Sequence, residues 1–426
     1  MIGSPAATRF SLLSFACLLT IAAFAVVNFL RYEVELRGTE ANLVTPLVVA
    51  FAFLVSAAVI NADGRPRDPF LLPLVALLSG LGLALLHHVK PEFVARQTTT
   101  LVLGIAAMTV IARAREARRI ARYKYLCAAA AALLLLLVIA LGKPLGARGD
   151  IKLSIPLGPL GQFQPADFVR ILLVVFLAGF LAEKREALTF ASSVWWRMSR
   201  NDGRYLGPML LAWGVAMALL VTQRDLGAAL LMFGLFVGML YLGSARVVYV
   251  LIGGALFGAG AWVCYHAFPV VHDRLAIWWD PWADADGNGY QIVQSLYALG
   301  GGGLFGAGLG QGAAASVPAV HTDLSFVAAA EELGLLGASA ILACYALIVV
   351  RGLRIAQRAR DSVNALLAGG LSLAFGLQTL VILGGVTKLT PLTGVTLPFM
   401  SFGGSSLIAN CVLVGLLLSI SAAEAP

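Results

Sequence analysis

The chain has 426 residues, of which 60% are hydrophobic and only 12% are charged, a mean hydropathy of +0.88 and a formal net charge of +8. Because soluble domains carry about 25% charged residues, this composition excludes a soluble globular protein and predicts an integral membrane protein. Five cysteines lie in or beside apolar runs without a CxxC or Cys/His pair, which argues against a disulfide framework or a cysteine-bound metal.

Apolar runs fill the chain almost from end to end, and each approaches the ~20 residues that a helix needs to cross a bilayer. The sequence therefore predicts an all-α polytopic membrane protein with about 12 transmembrane helices, some of them joined by long extracellular loops. The predicted spans cover residues 10–30, 43–61, 69–88, 97–112, 125–142, 167–183, 206–222, 226–243, 247–267, 325–350, 363–385 and 404–421.

Basic residues set the predicted orientation. Most of the 30 Lys and Arg residues fall in loops on the side of the N-terminus, and residues 113–124 form their densest cluster. The positive-inside rule then places both termini in the cytoplasm. In isolation such a cluster could suggest nucleic acid, but its position between two spans favours topology and contact with anionic membrane lipid. No nucleic-acid partner is therefore expected.

The stretch 388–410 lies between two apolar runs and yet contains prolines, glycines and many hydroxyl side chains, among them Ser401, Ser405 and Ser406. Irregular backbone of this kind cannot face lipid, because each unsatisfied peptide group in hydrocarbon costs several kcal/mol. We expect it to fold against protein or to line a wet cavity, and such a segment at membrane depth usually marks a working site.

Two predicted external loops, 143–166 and 268–324, are longer than a connection requires, and long loops in compact proteins tend to be functional. In the second loop, the aspartates at 280, 284 and 286 lack the glutamate that completes a calcium loop, so hydrogen-bonded turns are the expected structure. The glycine-rich run 300–312 does not follow a strand. It predicts close approach of backbone or lipid rather than a nucleotide site.

Asp323 precedes the apolar run that begins at Leu324, and two roles are open for it. It can act as the N-cap of the next helix, or as a carboxylate that takes a proton from an attacking hydroxyl. Polar residues inside the predicted spans have similar alternatives. Asp167 and Arg170 can form a structural pair or contact a substrate, and Glu331 and Glu332 need a basic partner or water.

Cations in the predicted external loops are the candidates for holding a phosphate group, although each can instead lie at the lipid interface. They are Arg148, Lys152, Arg224 and Lys388. Beside Arg224, Asp225 is placed to cap the following helix.

Six motifs together resemble the SEDS family (shape, elongation, division and sporulation) of the RodA and FtsW type. They are Phe163-Gln164-Pro165-Ala166-Asp167, Gln223-Arg224-Asp225-Leu226-Gly227, Asp280-Pro281 through Gln294-Ser295, His321-Thr322-Asp323, Glu331-Glu332-Leu333-Gly334 and Pro398-Phe399-Met400-Ser401-Phe402-Gly403-Gly404-Ser405-Ser406. The resemblance implies a GT-C-like ten-helix core over residues 69–426. Residues 1–68 resemble the two additional N-terminal helices of a RodA-like subgroup.

The family resemblance implies a peptidoglycan glycosyltransferase in the bacterial cytoplasmic membrane that polymerises lipid II into β-1,4-linked glycan. The growing strand is linked to undecaprenyl diphosphate, and a class B penicillin-binding protein is the implied partner. Asp323 corresponds to the catalytic aspartate. Substrate contacts are expected at Arg148, Lys152, Gln164, Asp167, Arg170, Arg224, Asp225, Lys388, Ser401, Ser405 and Ser406.

The chain departs from the family pattern at two places. Asp167 and Arg170 stand where the family usually has Glu and Lys, and Arg224 stands where it usually has Pro. No cofactor or certain metal site follows from the sequence, but a divalent cation, Mg²⁺ or Mn²⁺, is compatible with the chemistry.

Two other functions are weighed against the enzyme. Broken helices at two pseudo-symmetric positions would favour a lipid II flippase, a transporter. The sequence offers one clear candidate for such a break, 388–410. A scaffold that only recruits a penicillin-binding protein would leave Asp323 dispensable. The sequence leaves open whether the protein serves elongation and shape or division.

Overall fold

The computed structural model describes residues 5–35, 43–114, 118–142, 154–156, 162–190, 200–223 and 225–423. A helix lies at every predicted span, and the only sheet in these residues is a two-stranded ribbon, so the all-α fold is confirmed. The helices are α1 Pro5–Glu35, α2 Val44–Asn61, α3 Leu71–Val89, α4 Val94–Ala112, α5 Arg118–Arg122, α6 Lys124–Leu141, α7 Ala166–Phe190, α8 Arg200–Thr222, α9 Leu226–Ser244, α10 Val247–Ala267, α11 Pro269–Trp279, α12 Tyr290–Gly301, α13 Ser325–Arg358, α14 Ser362–Val386 and α15 Gly404–Ala423. The ribbon pairs β1 Ile155–Pro156 with β2 Gln162–Phe163 in antiparallel register, Ile155 opposite Phe163.

Within the described residues, 10 helices are long and apolar enough to cross a membrane, which supports an integral membrane protein. The helices at the other two predicted spans are α7 and α8. Charged residues (Asp167, Arg170 and Glu183) interrupt the apolar stretch of α7, and the described apolar part of α8 is only Met209–Thr222. The polytopic membrane fold is therefore confirmed, while the count of about 12 spans stays a prediction.

The chain divides into two compact units. The first holds Met1–Arg113, Asp273–Arg351 and Gln378–Ala425, and the second holds Ala114–His272 and Gly352–Leu377. The predicted division into residues 1–68 and 69–426 is based on family resemblance rather than on contacts within the structure, and it stays a prediction.

In the second unit, α6, α7, α8 and α9 pack around a core of small and branched apolar side chains. Leu135, Leu173 and Leu220 are among its most buried members. The turn before α9 is fixed by Gln223, whose Nε2 donates to the Leu135 carbonyl at 2.9 Å. Asp225 caps α9 by accepting a hydrogen bond from the Ala228 amide at 3.0 Å, as predicted.

In the first unit, α1 packs along α3, and α15 packs along α4. Both pairs come close where one partner is a glycine. Gly80 of α3 leaves room for Thr20 of α1, and a Cβ on Gly104 of α4 would lie 2.8 Å from the Cys411 sulfur of α15. Small residues at such crossings let two membrane helices approach closely and gain dispersion contacts.

Arginines bind the helices together at one end of the first unit. Arg67 donates to the Asp63 carboxylate (2.8 Å) and to the Ala112 carbonyl at the end of α4 (3.1 Å), while Arg9 of α1 donates to the Arg67 carbonyl (2.8 Å). The hydrogen bond from Arg67 lowers the pKa of Asp63 to about 2, so the pair stays ionised at neutral pH. Buried charges are thereby matched by partners.

α13 is interrupted at Gly334, where φ is +66° and ψ is −171°, a conformation that only glycine adopts readily. The peptide groups freed by the break are satisfied by the glycine-rich stretch 302–312. The hydrogen bonds run from Ala307 N to Glu331 O (2.9 Å), from Gly308 N to Glu332 O (3.0 Å), from Leu335 N to Gly303 O (2.9 Å) and from Leu336 N to Leu304 O (3.2 Å). The expectation that these glycines permit close backbone approach is confirmed. The break itself was not predicted.

We expect Gly334→Ala to destabilise the protein by on the order of 3 kcal/mol, because alanine is strained at this φ and its Cβ would collide with the Gly306 amide. Thermal unfolding in detergent measures the loss. Gly254→Ala in α10 is the control, since its Cβ would point into open space, and it should be neutral or stabilise by up to about 1 kcal/mol. Equal melting temperatures for the two variants would show that the break does not require glycine at position 334.

Candidate active site

The His321-Thr322-Asp323 turn leads directly into α13. Ala319 has a left-handed φ of +54°, which turns the chain so that the amides of Thr322 and Asp323 donate to its carbonyl at 3.0 and 3.1 Å. The helix starts at Ser325, so Leu324 and not Asp323 occupies the N-cap position. In the described part of the chain, no first-turn amide donates to the Asp323 carboxylate. Asp323 therefore does not cap α13, which was one of the two roles that the sequence left open.

Asp323 lies half-buried, and burial raises the pKa of its carboxyl group above the usual range. The neighbouring Thr322 side chain and the positive charge of Arg274 act in the opposite direction and lower this pKa. A carboxylate with a raised pKa is a better proton acceptor than a fully solvated one. The segment after α14 crosses over this group, since a Cβ on Gly394 would lie 3.6 Å from the Asp323 Oδ2 atom.

His321 anchors the turn to its surroundings. Its ring stacks on Phe93 at a centroid distance of 5.3 Å, and its carbonyl accepts a hydrogen bond from the Phe402 amide at 2.7 Å. Burial and the nearby Lys90 lower the pKa of His321, so the ring is neutral at pH 7. The turn that carries Asp323 is thus held between the start of α4 and the start of α15.

Buried polar side chains satisfy the irregular segment 387–403. Gln97 of α4 donates to the Ser401 carbonyl (3.0 Å), Gln378 of α14 to the Thr396 carbonyl (2.8 Å) and Tyr345 of α13 to the Pro398 carbonyl (2.6 Å). The prediction that this backbone folds against protein is confirmed. A donor from each of three helices replaces the hydrogen bonds that an intact helix would make.

The three serines predicted to contact substrate lie inside the protein, Ser401 in the irregular segment and Ser405 and Ser406 in the first turn of α15. The Ser401 Oγ lies 2.7 Å from that of Ser325 and accepts from the Leu397 amide at 2.9 Å, and the Ser406 Oγ lies 2.8 Å from that of Thr396. Ser401, Ser405 and Ser406 are 3%, 8% and 6% exposed. The hydroxyls of Ser401 and Ser406 thus support the local structure through these partners, and the substrate contacts expected of the three serines stay a prediction.

Helix α11 brings a cation that sequence reasoning missed. Arg274 is exposed, its charge acts on Asp323, and it donates to the Thr393 carbonyl at 3.4 Å. One turn later, the Trp278 Nε1 donates to the Lys388 carbonyl at 3.0 Å, so α11 lies against the irregular segment. Their spacing of four residues places Arg274 and Trp278 on one helix face. That pattern would have identified Arg274 had this loop been predicted to be helical.

Lys388, the predicted phosphate ligand, follows α14 with a left-handed φ of +59°. The Lys388 side chain is half-buried as a whole, while its ammonium group, 3.5 Å from the Trp279 carbonyl, is exposed. The structure thus places Lys388, Arg274 and Asp323 around the same part of the irregular segment.

The remaining predicted site residues belong to the second unit or fall outside the described residues. Gln164, Asp167, Arg170 and Asp225 belong to the second unit, where Arg170 is 2% exposed and interacts with the charge of Asp167. Their role in binding substrate stays a prediction. Arg148, Lys152 and Arg224 lie outside the described residues.

The aspartates of the long loop form turns, as expected. Asp280 accepts from the Trp282 amide at 3.1 Å, and Asp284 accepts from the Asn288 amide at 2.8 Å. Among the residues that the structure describes, no three His, Cys, Asp or Glu side chains are grouped so that they could hold a metal ion.

Comparison with known proteins assigns the chain to a family. The family model described as Cell cycle protein, covering FtsW, RodA and SpoVE, matches residues 70–425. The chain belongs to this family. Peptidoglycan glycosyltransferase RodA of Mycobacterium tuberculosis is 41% identical over 424 residues, which cover 96% of the chain and 89% of that protein. Stage V sporulation protein E of Bacillus subtilis is 36% identical over 262 residues, 61% of the chain and 68% of that protein.

Solved structures agree with this assignment. One is described as structural coordination of polymerization and crosslinking by a peptidoglycan synthase complex. It matches with a TM-score of 0.69 and 28% identity, and the match covers 84% of this chain and 98% of the chain in that structure. The rod shape determining protein RodA of Thermus thermophilus has a TM-score of 0.60 and 26% identity, covering 84% and 97%. The resemblance of this SEDS protein to the RodA type is confirmed.

We expect Ser401→Ala to lower the free energy of unfolding by about 1–3 kcal/mol, because it leaves the Leu397 amide without its partner in a buried site. Thr387→Ala is the control, since Thr387 is exposed and its hydroxyl bonds only to carbonyls at the end of α14, the helix just before it. Melting temperatures in detergent compare the two. A Ser401→Ala protein as stable as the control would contradict a structural role for this hydroxyl.

Proposed function

We propose that the chain is a peptidoglycan glycosyltransferase that polymerises lipid II into β-1,4-linked glycan strands. The observation that carries the proposal is the setting of Asp323, a half-buried carboxylate with a raised pKa, free of capping bonds among the described residues and flanked by the charge of Arg274. Membership of the family and relatives named peptidoglycan glycosyltransferase support it.

In the proposed reaction, Asp323 accepts the proton of the acceptor GlcNAc 4-hydroxyl as that oxygen attacks the anomeric carbon of the donor MurNAc. The new C–O bond forms on the face opposite the leaving group, and the bond to undecaprenyl diphosphate breaks with its electron pair remaining on the diphosphate. The anomeric configuration is thereby inverted. A general base contributes about 10²–10⁴-fold to such a step.

Cations would stabilise the charge that develops on the diphosphate. Arg274 and Lys388 are the described candidates, and Arg148, Lys152 and Arg224 remain predicted ones. Mg²⁺ usually binds through one or two carboxylates together with substrate phosphates. A divalent ion here would accordingly take most of its ligands from the diphosphate, beside Asp323.

We infer that the end of the first unit that carries Asp323 faces the outside of the cytoplasmic membrane. The basic loops, including 113–124, would then face the cytoplasm according to the positive-inside rule. An outward-facing site suits a polymer that is built outside the cell. The partner that we propose is a class B penicillin-binding protein, since a structural neighbour is a synthase complex that couples polymerization to crosslinking.

A flippase is the second candidate, and the interruption of α13 at Gly334 favours it more than the sequence did. Discontinuous helices are typical of transporters, and the first unit contains this break beside the irregular segment 387–403. The two functions differ in what they require of Asp323, because transport of the lipid needs no base.

We expect Asp323→Asn and Asp323→Ala to lower the rate of lipid II polymerisation by about 10²–10⁴-fold, because neither side chain can accept the proton. The purified variants are assayed with lipid II, and their melting temperatures and binding to the penicillin-binding partner serve as controls. An Asp323→Asn protein with near-normal turnover would refute the catalytic assignment. Lost polymerisation with normal lipid transport would favour the enzyme over the flippase.

We expect Arg274→Gln to move the acidic limb of the pH–rate profile to higher pH. The positive charge of Arg274 lowers the pKa of Asp323, so its removal raises that pKa, and the base becomes protonated at a higher pH. Arg274→Lys keeps the charge and is the matched control. If the limb stays in place in Arg274→Gln, the arginine does not act on the base.

A further inference from the structure

The half of α13 that follows Asp323 is fixed by two buried carboxylates. The His88 Nδ1 of α3 lies 2.6 Å from Glu332 Oε1, while the Gly310 amide donates to Glu332 Oε2 at 2.7 Å. The Ala313 amide donates to Glu331 Oε1 at 3.1 Å. Glu332 is 1% exposed. A buried carboxylate is costly without such partners, so these bonds determine where the glycine-rich stretch 302–312 lies.

Helix α1 lies against the same cluster. Asn28 Oδ1 is 2.9 Å from the Nε2 of His87, the neighbour of His88, and the Phe24 ring stacks on His87 at a centroid distance of 5.5 Å. The end of α1 also reaches the loop, since a Cβ on Gly310 would lie 3.5 Å from the side chains of Val27 and Leu30. The contacts thus run from α1 through α3 to α13.

The geometry couples this cluster to Asp323. The half-helix between Ser325 and Gly334 is only about two and a half turns long, with Asp323 before its start and Glu332 near its end. Because the break at Gly334 uncouples it from the rest of α13, contacts at Glu332 and Glu331 fix its rotation. The stretch 302–312 leads by a short connection into the turn at Asp323. The segments before and after Asp323 are therefore both held by contacts with Glu331 and Glu332.

We propose that α1 and His88 position the His321-Thr322-Asp323 turn. Helix α1 supports His87 and His88, and His88 fixes Glu332. Glu332 in turn fixes the half-helix and the glycine-rich stretch that hold Asp323. This inference rests on the proposed glycosyltransferase function. His88, Glu332 and Asn28 are positioning residues, since none touches the place where the reaction would occur. It assigns to the additional N-terminal helix a role in catalysis rather than in anchoring alone.

The test combines polymerisation kinetics with amide hydrogen exchange of residues 302–316 in the purified full-length protein. His88→Ala should lower kcat by about 10–100-fold, because small displacements of a catalytic group cost rates of this size. KM should stay within about twofold, because ground-state binding is not altered. The amides of Ala307, Gly308, Gly310 and Ala313 should exchange faster. His88→Asn, whose amide nitrogen takes the position of Nδ1 and can still donate to Glu332, should restore most of the rate and protection.

Asn28→Leu weakens the support from α1 without uncovering Glu332, and it should change rate and exchange in the same direction by a smaller factor. If His88→Ala fails to fold, the Asn28→Leu variant tests whether α1 positions the turn that carries Asp323. Ser11→Ala is the control, because Ser11 is exposed on α1 and bonds only within its own helix. The proposal is overturned if Asn28→Leu matches Ser11→Ala, or if His88→Asn loses as much as His88→Ala. Exchange needs no lipid II, so a wild-type protein that fails to polymerise would refute the function separately.

Discussion

Peptide groups that leave helical geometry inside a membrane protein have no water to bind, and the first unit is organised around this constraint. Among the described residues, its long helices give way to irregular backbone at Gly334 and over 387–403. The first departure is satisfied by backbone from the glycine-rich stretch. The second is satisfied by side chains from α4, α13 and α14. These hydrogen bonds place the polar groups of the site in an otherwise apolar body.

The two solutions differ in what they demand of the sequence. Backbone can pair with backbone only where Cβ atoms do not intervene, so the stretch beside α13 is rich in glycine, and Gly306 has φ of +89° at its contact with Glu332. Side chains that reach into a segment must be long and polar, which accounts for Gln97 and for Gln378, the latter 0% exposed. A buried amide with its partners in place gives the segment one defined path.

The chemistry of the site depends on the same scarcity of water. Burial raises the pKa of Asp323, and Arg274 and Thr322 keep this rise in check. A carboxylate in this balance can exist as a base and still hold a proton more firmly than a solvated aspartate. Because the segment over it passes at Gly394, which has φ of +74°, the carboxylate lies beneath backbone rather than beneath a side chain.

Much of the fold and part of the site could be predicted from the sequence. The apolar runs predicted the helices, and the polar stretch 388–410 predicted an irregular segment. The family motifs identified Asp323 as a candidate, and its catalytic role stays a prediction. The capping role of Asp225 also followed from local pattern. Such features depend on neighbours in the chain or on the contrast between polar residues and lipid, both of which can be recognised in a linear sequence.

Other features were decided only by tertiary structure. Gly334 lies in an apolar run that predicts an intact helix, and the break exists because residues 302–312 supply its hydrogen bonds from a distant part of the chain. Ser401 and Ser406 were recognised as polar residues in the sequence, but their hydroxyl partners, Ser325 and Thr396, are known only from the structure. Arg274 gains its importance from its proximity to Asp323. The sequence by itself determined which residues could bear charge or leave the helix. Tertiary packing decided which of them meet, because burial and long-range hydrogen bonding depend on partners that are remote in the chain.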